Sequence, residues 1–245
     1  MNLVYLWGSF LFKYRNTVFP VFLVILFVLF PPVLFGGTLA SDIRLDLVGV
    51  GLCLLGQAVR GAVIGFAYIK RGGLNKKVYA DTLVTRGIFG VCRNPLYVGN
   101  LLAAAGILVV HNNPWVYLIA GLFTLASYQA IVLTEERFLR NKFGEEFEQY
   151  CREVSRWMPR LSKLRGATDG MVFQWGKVIT KDYSTCCTWV VIVSLLFMYE
   201  AYRSGMSLPS GRIIAGCAIL VTAAAFSLVV HRYKKNISRK RVLQA

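Results

Sequence analysis

Residues 93–139, RNPLYVGNLLAAAGILVVHNNPWVYLIAGLFTLASYQAIVLTEERFL, contain two apolar segments that are separated by a short polar turn. The first segment runs from Pro95 to Val110 and the second from Trp115 to Thr134. The residues His111-Asn112-Asn113-Pro114 between them favour a tight turn, because Asn and Pro adopt turn conformations readily. At 1.5 Å per residue the first segment covers about 24 Å, slightly less than the hydrocarbon core of a bilayer. We therefore predict a helical hairpin inside a membrane.

Four more apolar segments flank this hairpin, each at least about 18 residues long. They extend from about Thr17 to Phe35, from Leu47 to Ile69, from Ser184 to Tyr202 and from Arg212 to Val230. The chain of 245 residues is 56% hydrophobic and only 16% charged, whereas soluble domains carry about 25% charged residues. The sequence therefore predicts an all-α, polytopic membrane bundle of about six transmembrane helices.

Basic residues are distributed unevenly between the two predicted sides of the membrane. Of the 28 Lys and Arg residues, 24 fall on the side of the two termini, and only Arg44, Arg203 and Arg212 fall on the other. The positive-inside rule then predicts that both termini are cytoplasmic. This topology, together with attraction to anionic lipids, accounts for most of the net charge of +16. We therefore expect no nucleic-acid partner.

The second predicted span combines small residues with one charge. Its Gly61-x-x-x-Gly65 spacing is typical of close helix packing in bilayers. Arg60 lies near the middle of the span, where a guanidinium is unfavourable by about 2.5 kcal/mol or more unless it has a partner. Two partners are possible for Arg60: a carboxylate of the protein in an ion pair, or an anionic group of a substrate. Arg60 is therefore a candidate substrate-binding residue.

Polar residues stand at both open ends of the hairpin. Arg93 and Asn94 precede Pro95, which suits the first turn of a helix, and free N–H groups there favour an anionic ligand. Glu135 and Glu136 follow the second segment and point about 100° apart on a helix. One of them is expected to face a pocket and the other to face Arg140, four residues on. Solvated glutamates at a membrane interface are the alternative.

An amphipathic segment follows these glutamates. Phe143, Phe147, Tyr150, Val154 and Trp157 recur at helical spacing, with charged residues between them. The pattern predicts a helix from Gly144 to Trp157 on the cytoplasmic interface, with its aromatic face inward and its end at Pro159.

Four blocks in this region resemble a known family. They are Arg93-Asn94-Pro95-Leu96-Tyr97-Val98-Gly99, Glu135-Glu136-Arg137-Phe138-Leu139, Phe143-Gly144-Glu145-Glu146-Phe147-Glu148-Gln149-Tyr150 and Val154-Ser155-Arg156-Trp157-Met158-Pro159. In this order they are similar to the isoprenylcysteine carboxyl methyltransferase and phospholipid methyltransferase superfamily. The resemblance covers about a third of the chain, from Leu83 to Pro159.

The resemblance implies an integral membrane methyltransferase that binds S-adenosylmethionine from the cytoplasm and takes a lipophilic acceptor from the bilayer. It implies catalytic roles for Arg156 and Glu135. The implied cofactor-binding residues are Arg93, Asn94, Tyr97, Gly99, Glu135, Glu136 and Tyr150. Methyl transfer needs proximity and orientation more than acid–base groups. A carboxylate can hold the amino group or ribose of the cofactor, and an arginine can hold its carboxylate.

Two features depart from the family pattern. Asn94 stands where the family has a histidine, which puts any proton-handling role at that position in doubt. About 85 residues follow Pro159, so we divide the chain into helices 1–2 (1–80), a methyltransferase-like core (81–165) and a C-terminal extension with two spans (166–245). The extension either shapes the substrate site or packs against another subunit.

Two other functions remain open at this point. A sterol or steroid reductase that uses NADPH has a similar block around its Arg-His-Pro, and a non-catalytic lipid-binding protein would fit the loss of the histidine. Binding of S-adenosylmethionine or of NADPH separates the three. No metal site is expected, because the chain has only two histidines and no Cys-x-x-Cys pair.

Overall fold

The computed structural model describes residues 3–37, 39–67, 78, 80–203 and 211–242. Within these ranges the chain is helical and contains no strand, so the predicted all-α class is confirmed. The helices are α1 (Leu3–Leu29), α2 (Leu39–Ala67), α3 (Ile88–Val91), α4 (Pro95–His111), α5 (Pro114–Glu153), α6 (Trp175–Arg203) and α7 (Gly211–Val242). Two short 3₁₀ turns occupy Phe35–Gly37 and Leu161–Lys163.

Five of these helices, α1, α2, α5, α6 and α7, are long and apolar enough to cross a membrane, and α4 is a shorter apolar helix of 17 residues. The predicted α1 is wrong at both ends, since the helix begins at Leu3 rather than Thr17 and ends at Leu29 rather than Phe35. The early end follows from Pro31 and Pro32, because proline removes a hydrogen-bond donor and disfavours helix in the residue before it. The predicted end of α2 at Ile69 lies outside the described residues.

Two helices continue beyond the predicted spans, through additional helical turns that contain polar residues. α6 begins at Trp175 instead of Ser184, and α7 continues to Val242 instead of ending at Val230.

If α4 and the five long helices each cross the bilayer, both ends of the chain lie on one side, because six crossings are an even number. We call this side, where α4 begins, the motif end. Its assignment to the cytoplasm stays a prediction.

Glycines bring α2 and α4 into close contact. A Cβ atom on Gly56 would lie 2.5 Å from the carbonyl oxygen of Gly99, and one on Gly106 would lie 2.4 Å from that of Gly49. Such distances are impossible for larger residues, so these four glycines set the distance between the two helices. The Gly61-x-x-x-Gly65 spacing does not make this contact, because Gly65 faces the ring of Phe173 instead.

The C-terminal hairpin, formed by α6 and α7, packs on the rest of the bundle through α6. Trp189, Val193 and Leu196 of α6 share a buried cluster with Cys53 of α2 and with Ile107 and Val110 of α4. α7 contacts chiefly α6, and many of its large apolar side chains are exposed in the isolated chain. Exposed apolar side chains on a membrane helix face lipid.

A kink at Gly144 separates the spanning part of α5 from the interfacial helix of residues 145–153. Gly144 has φ 51° and ψ −122°, a conformation that L-residues rarely adopt. Beyond the kink, Phe147 and Tyr150 pack on Leu139 and Val154 in a buried cluster. The prediction that this helix reaches Trp157 is wrong. It ends at Glu153, because Val154 is extended and the following backbone bonds to another segment.

We expect Gly144→Ala to destabilise the protein by about 1–3 kcal/mol, because a Cβ atom is strained at this φ and ψ. No atom lies within 4 Å of the new Cβ, so the effect is one of backbone conformation alone. The measurement is the midpoint of thermal unfolding in detergent. Gly121→Ala is the control, since Gly121 lies within the same helix with equal free space. Equal midpoints for the two variants would contradict the role of the kink.

Candidate functional site

The segment after the interfacial helix runs back along the segment that leads into α4. The backbone N–H of Arg93 donates to the carbonyl of Ser155 at 3.0 Å, and that of Arg160 donates to Val91 at 3.0 Å. The Asn94 side chain donates through Nδ2 to the carbonyl of Arg156 at 3.2 Å. These bonds join the first and last of the four sequence blocks and place Arg156 beside α5.

Glu136 is the centre of a buried ion cluster at the motif end. Arg156 donates to it through two nitrogens, with Nε–Oε1 at 3.0 Å and Nη2–Oε2 at 2.8 Å. Arg93 approaches the same carboxylate, with Nη1–Oε1 at 3.4 Å. The hydrogen bond to Glu136 raises the pKa of the Arg156 guanidinium above its ordinary value. The predicted contact between Glu136 and Arg140 is wrong, because Arg140 pairs with Glu148 on the surface.

Glu135 belongs to a second polar group on the adjacent face of α5. The Tyr97 hydroxyl donates to Glu135 Oε1 at 2.8 Å and accepts a hydrogen bond from Arg15 Nη1 of α1 at 3.0 Å. The other carboxylate oxygen, Glu135 Oε2, is buried and has no hydrogen-bond partner among the described residues. A buried carboxylate oxygen without a protein partner can accept a hydrogen bond from water or from a ligand.

The other predicted site residues lie around these two groups. Gly99 packs against α2, where a Cβ atom would lie 2.6 Å from Arg60 Cγ. The Tyr150 hydroxyl donates to the carbonyl of Phe89 at 2.8 Å and fastens the interfacial helix to α3. The four sequence blocks therefore meet at one end of the bundle.

Arg60 has a carboxylate partner in α6. Its Nε donates to Asp182 Oδ1 at 3.0 Å and its Nη2 contacts the same oxygen, while Nη1 donates to the side chain of Asn100 in α4. Asp182 is 1% exposed. Of the two alternatives for Arg60, the ion pair is the one present. Contact with a substrate stays a prediction.

A second buried ion cluster lies at the opposite end of the bundle. Asp42 and Asp46 of α2 and Glu200 of α6 bring their carboxylate oxygens within 4.8 Å of one another. Arg212 of α7 forms ion pairs with all three, the shortest at 3.0 Å to Asp46. This cluster joins the C-terminal hairpin to α2, and we assign no ion to it.

An apolar groove lies between α4 and α5 and reaches the motif end. It encloses about 820 Å³. Along α4 it extends from Val98 to Leu108, which corresponds to roughly 15 Å. Its lining residues are Val98, Leu101, Leu102, Ala104, Ala105, Leu108, Gly121, Thr124, Leu125, Ala126, Gln129, Trp157, Met158 and Pro159. At the motif end Trp157 Nε1 donates to Gln129 Oε1 at 2.9 Å, directly beside Arg156.

Several residues of this site were not identified from the sequence. From the sequence, Arg15 is only one of the basic residues that predict the membrane topology, because the predicted first span begins after it. Asn100 and Gln129 lie within apolar segments and match no block. Asp182 is an acidic residue just ahead of the predicted fifth span, and the signal for it is that the buried Arg60 needs a counter-ion.

The chain is similar to several known proteins. A family model for phospholipid methyltransferases matches residues 45–146. The chain is 37% identical over 163 residues to the cobalt-zinc-cadmium resistance protein CzcN of Cupriavidus metallidurans, covering 64% of this chain and 69% of CzcN. It is 32% identical over 90 residues to the nickel-cobalt-cadmium resistance protein NccN of Alcaligenes xylosoxydans xylosoxydans, covering 37% of this chain and 42% of NccN.

Methyltransferases are also among these relatives. The protein-S-isoprenylcysteine O-methyltransferase of Schizosaccharomyces pombe is 30% identical over 115 residues, which cover 45% of this chain and 48% of the yeast protein. Except for CzcN, the chain therefore spans less than two thirds of the length of these relatives. No solved structure matches the chain. These similarities show that the chain belongs to the superfamily of isoprenylcysteine carboxyl methyltransferases and phospholipid methyltransferases.

We expect Arg156→Lys to lower the stability of the protein by about 1–2 kcal/mol, because lysine cannot make the two parallel hydrogen bonds to Glu136. Arg140→Lys is the matched control, since its ion pair with Glu148 is exposed and is expected to contribute about 1 kcal/mol or less. Thermal unfolding of both variants in detergent measures the difference. An equal loss in the two variants would show that the Glu136 cluster is no stronger than a surface pair.

Proposed function

We propose that this protein transfers a methyl group from S-adenosylmethionine to a lipophilic acceptor that enters from the bilayer. The observation that carries the proposal is the pair of adjacent buried carboxylates of α5. Tyr97, which accepts a hydrogen bond from Arg15, holds Glu135, and Arg93 and Arg156 hold Glu136. The blocks that supply these groups are the ones shared with the methyltransferase superfamily.

The residues fit the proposed cofactor. Glu135 Oε2 is buried and has no partner among the described residues, so it can accept a hydrogen bond from an amino or hydroxyl group. Arg156 uses Nε and Nη2 to hold Glu136 beside Arg93, and because a guanidinium has five N–H donors, its remaining ones can bind a carboxylate. When bound, S-adenosylmethionine supplies a methyl group that is activated by its sulfonium and open to in-line displacement.

In this proposal the chain's own residues bind and orient the reactants. Glu135 and Arg156, the proposed catalytic residues, act by holding the two polar ends of the donor, with Arg93, Asn94, Tyr97, Gly99, Glu136 and Tyr150 forming or supporting its binding site. Asn94 replaces the histidine of the family pattern, yet its amide already holds the Arg156 segment through a hydrogen bond. In-line displacement needs orientation rather than a titratable group at this position.

The groove between α4 and α5 suits the hydrocarbon part of an acceptor. Its length of roughly 15 Å corresponds to half of a bilayer core, the half nearer the motif end. The polar side chains of its lining are Thr124, Gln129 and Trp157; Trp157 donates to Gln129 and directly follows Arg156 in the chain. A chain in the groove would therefore have its polar end at the ion cluster.

The remaining parts of the proposal concern partners and topology. The relatives' names give isoprenylcysteine and phospholipid as two acceptor classes, and both combine a hydrocarbon chain with a polar group. We propose that the motif end faces the cytoplasm and that the basic residues there contact anionic lipids. The division into segments 1–80, 81–165 and 166–245 belongs to the same proposal.

Calorimetric titration with S-adenosylhomocysteine tests the cofactor, with NADPH titrated in parallel. Glu135→Gln and Glu136→Gln are each expected to weaken binding of S-adenosylhomocysteine by about 1.5–3 kcal/mol, the range for a hydrogen bond to a charged group. This corresponds to roughly 10- to 150-fold in the dissociation constant. Glu148→Gln is the control, because this glutamate is exposed and pairs only on the surface.

The outcomes separate three functions. Binding of S-adenosylhomocysteine alone supports a methyltransferase. Binding of NADPH alone would replace the proposal with a reductase. Binding of neither would favour a non-catalytic lipid-binding role and would make Asn94 the leading difference from the family.

Filling the groove tests the acceptor. We expect Ala105→Trp to lower methylation of a lipophilic acceptor at least about tenfold, because the ring occupies a ligand cavity of ordinary size. Affinity for S-adenosylhomocysteine should not change. The assay uses radiolabelled S-adenosylmethionine with N-acetyl-S-farnesylcysteine and with dioleoylphosphatidylethanolamine. Ala224→Trp places the same ring on α7, away from the groove, and full activity of both variants would exclude the groove as the acceptor site.

A further inference from the structure

Asp182 lies at the centre of a buried polar network that joins the C-terminal hairpin to the core. Its Oδ1 accepts from Arg60, and its Oδ2 accepts from Gln57 Nε2 at 2.6 Å. Gln57 in turn accepts from Trp189 Nε1 at 3.1 Å, and Arg60 donates to Thr185 Oγ1 at 3.2 Å. Both oxygens of Asp182 are therefore engaged by side chains of α2.

These residues lie on one face of α2 and one face of α6, and the two faces contact each other. Gln57 and Arg60 are three residues apart on α2, and Asp182, Thr185 and Trp189 are three and four apart on α6, so each set shares one face. The family match ends at residue 146, and Asp182 lies well beyond it. A residue of the extension thus neutralises a charge inside the family core.

The network continues from Arg60 to the proposed site. Arg60 donates to Asn100, which directly follows the block residue Gly99. The Asn100 side chain lies beside the Tyr128 hydroxyl, and the centroid of the Tyr128 ring lies 5.4 Å from that of Tyr97. Tyr97 donates to Glu135. The contacts from Asp182 to Glu135 form a continuous chain of packed and hydrogen-bonded side chains across α6, α2, α4 and α5.

We propose that Asp182 is a positioning residue of the methyltransferase site, which fixes Arg60 and, through Asn100 and Tyr128, the Tyr97–Glu135 pair. The C-terminal hairpin is then part of the enzyme rather than a surface for another subunit. This inference rests on the proposed function, because it assigns Glu135 to the binding of the methyl donor. Arg60, held by Asp182, Asn100 and Thr185, acts in the interior of the bundle as the link between the extension and the motif helix.

The test compares two isosteric variants of buried carboxylates. Asp182→Asn removes the counter-ion of Arg60, and Asp46→Asn removes a buried partner of Arg212 at the opposite end of the bundle. Both replace a buried aspartate by its isosteric amide beside an arginine; Arg60 then loses its carboxylate partner, whereas Arg212 keeps Asp42 and Glu200. Only Asp182→Asn is expected to weaken binding of S-adenosylhomocysteine, by roughly 2- to 30-fold, the range for coupling through packed networks.

A second comparison distinguishes positioning from general loosening of the fold. In a Tyr97→Phe background the pair with Glu135 is already broken, so Asp182→Asn should change the affinity by less than about twofold, the limit of additivity for independent sites. If Asp182→Asn does not fold, Asn100→Ala replaces it. That variant keeps the Arg60–Asp182 pair, removes the link to α4 and should weaken binding in the same way.

The outcomes separate this inference from the proposed function. No binding of S-adenosylhomocysteine by the unaltered protein overturns the proposed function and this role together. Binding by the unaltered protein, with equal affinity in the Asp182 and Asp46 variants, overturns the role of Asp182 alone. A full effect of Asp182→Asn in the Tyr97→Phe background also overturns it, because the effect would then not pass through Tyr97.

Discussion

Charges buried within a membrane bundle must be paired, and this requirement organises the motif end of the protein. Arg60 pairs with Asp182, Arg93 and Arg156 pair with Glu136, and Arg15 is linked to Glu135 through the Tyr97 hydroxyl. A charge at this depth without a partner is strongly unfavourable. Each pair therefore fixes the position of two chain segments relative to each other, which gives the site its geometry.

The backbone obeys the same requirement, because polar groups near the bilayer have little access to water. Segment 91–94 and segment 154–160 exchange backbone and side-chain hydrogen bonds instead of each bonding to solvent. The interfacial helix therefore ends at Glu153, although the aromatic spacing continues to Trp157. The same bonds hold Arg156 next to Glu136, so they also shape the candidate site.

The C-terminal hairpin gives the bundle two ion-paired attachments to α2. Asp182 meets Arg60 near the motif end, and Arg212 meets Asp42 and Asp46 at the opposite end. Between them lies the apolar cluster of Trp189, Val193 and Leu196. Two specific polar contacts at separate depths, one from α6 and one from α7, define one register for the hairpin on α2, whereas apolar packing by itself tolerates sliding. The C-terminal extension therefore packs on the core in one defined arrangement.

The sequence by itself determined the all-α membrane class, the hairpin of α4 and α5, and the family, because hydrophobic length and local blocks are properties of contiguous residues. It also gave Arg93, Glu135, Glu136 and Arg156 as candidates. The tertiary structure decided their partners: Glu136 meets Arg156 rather than Arg140, and Arg60 meets Asp182, 122 residues away. It also revealed Arg15 and Asn100 as neighbours of the site. Ion pairs between distant helices depend on how the helices pack, and no local pattern encodes that arrangement.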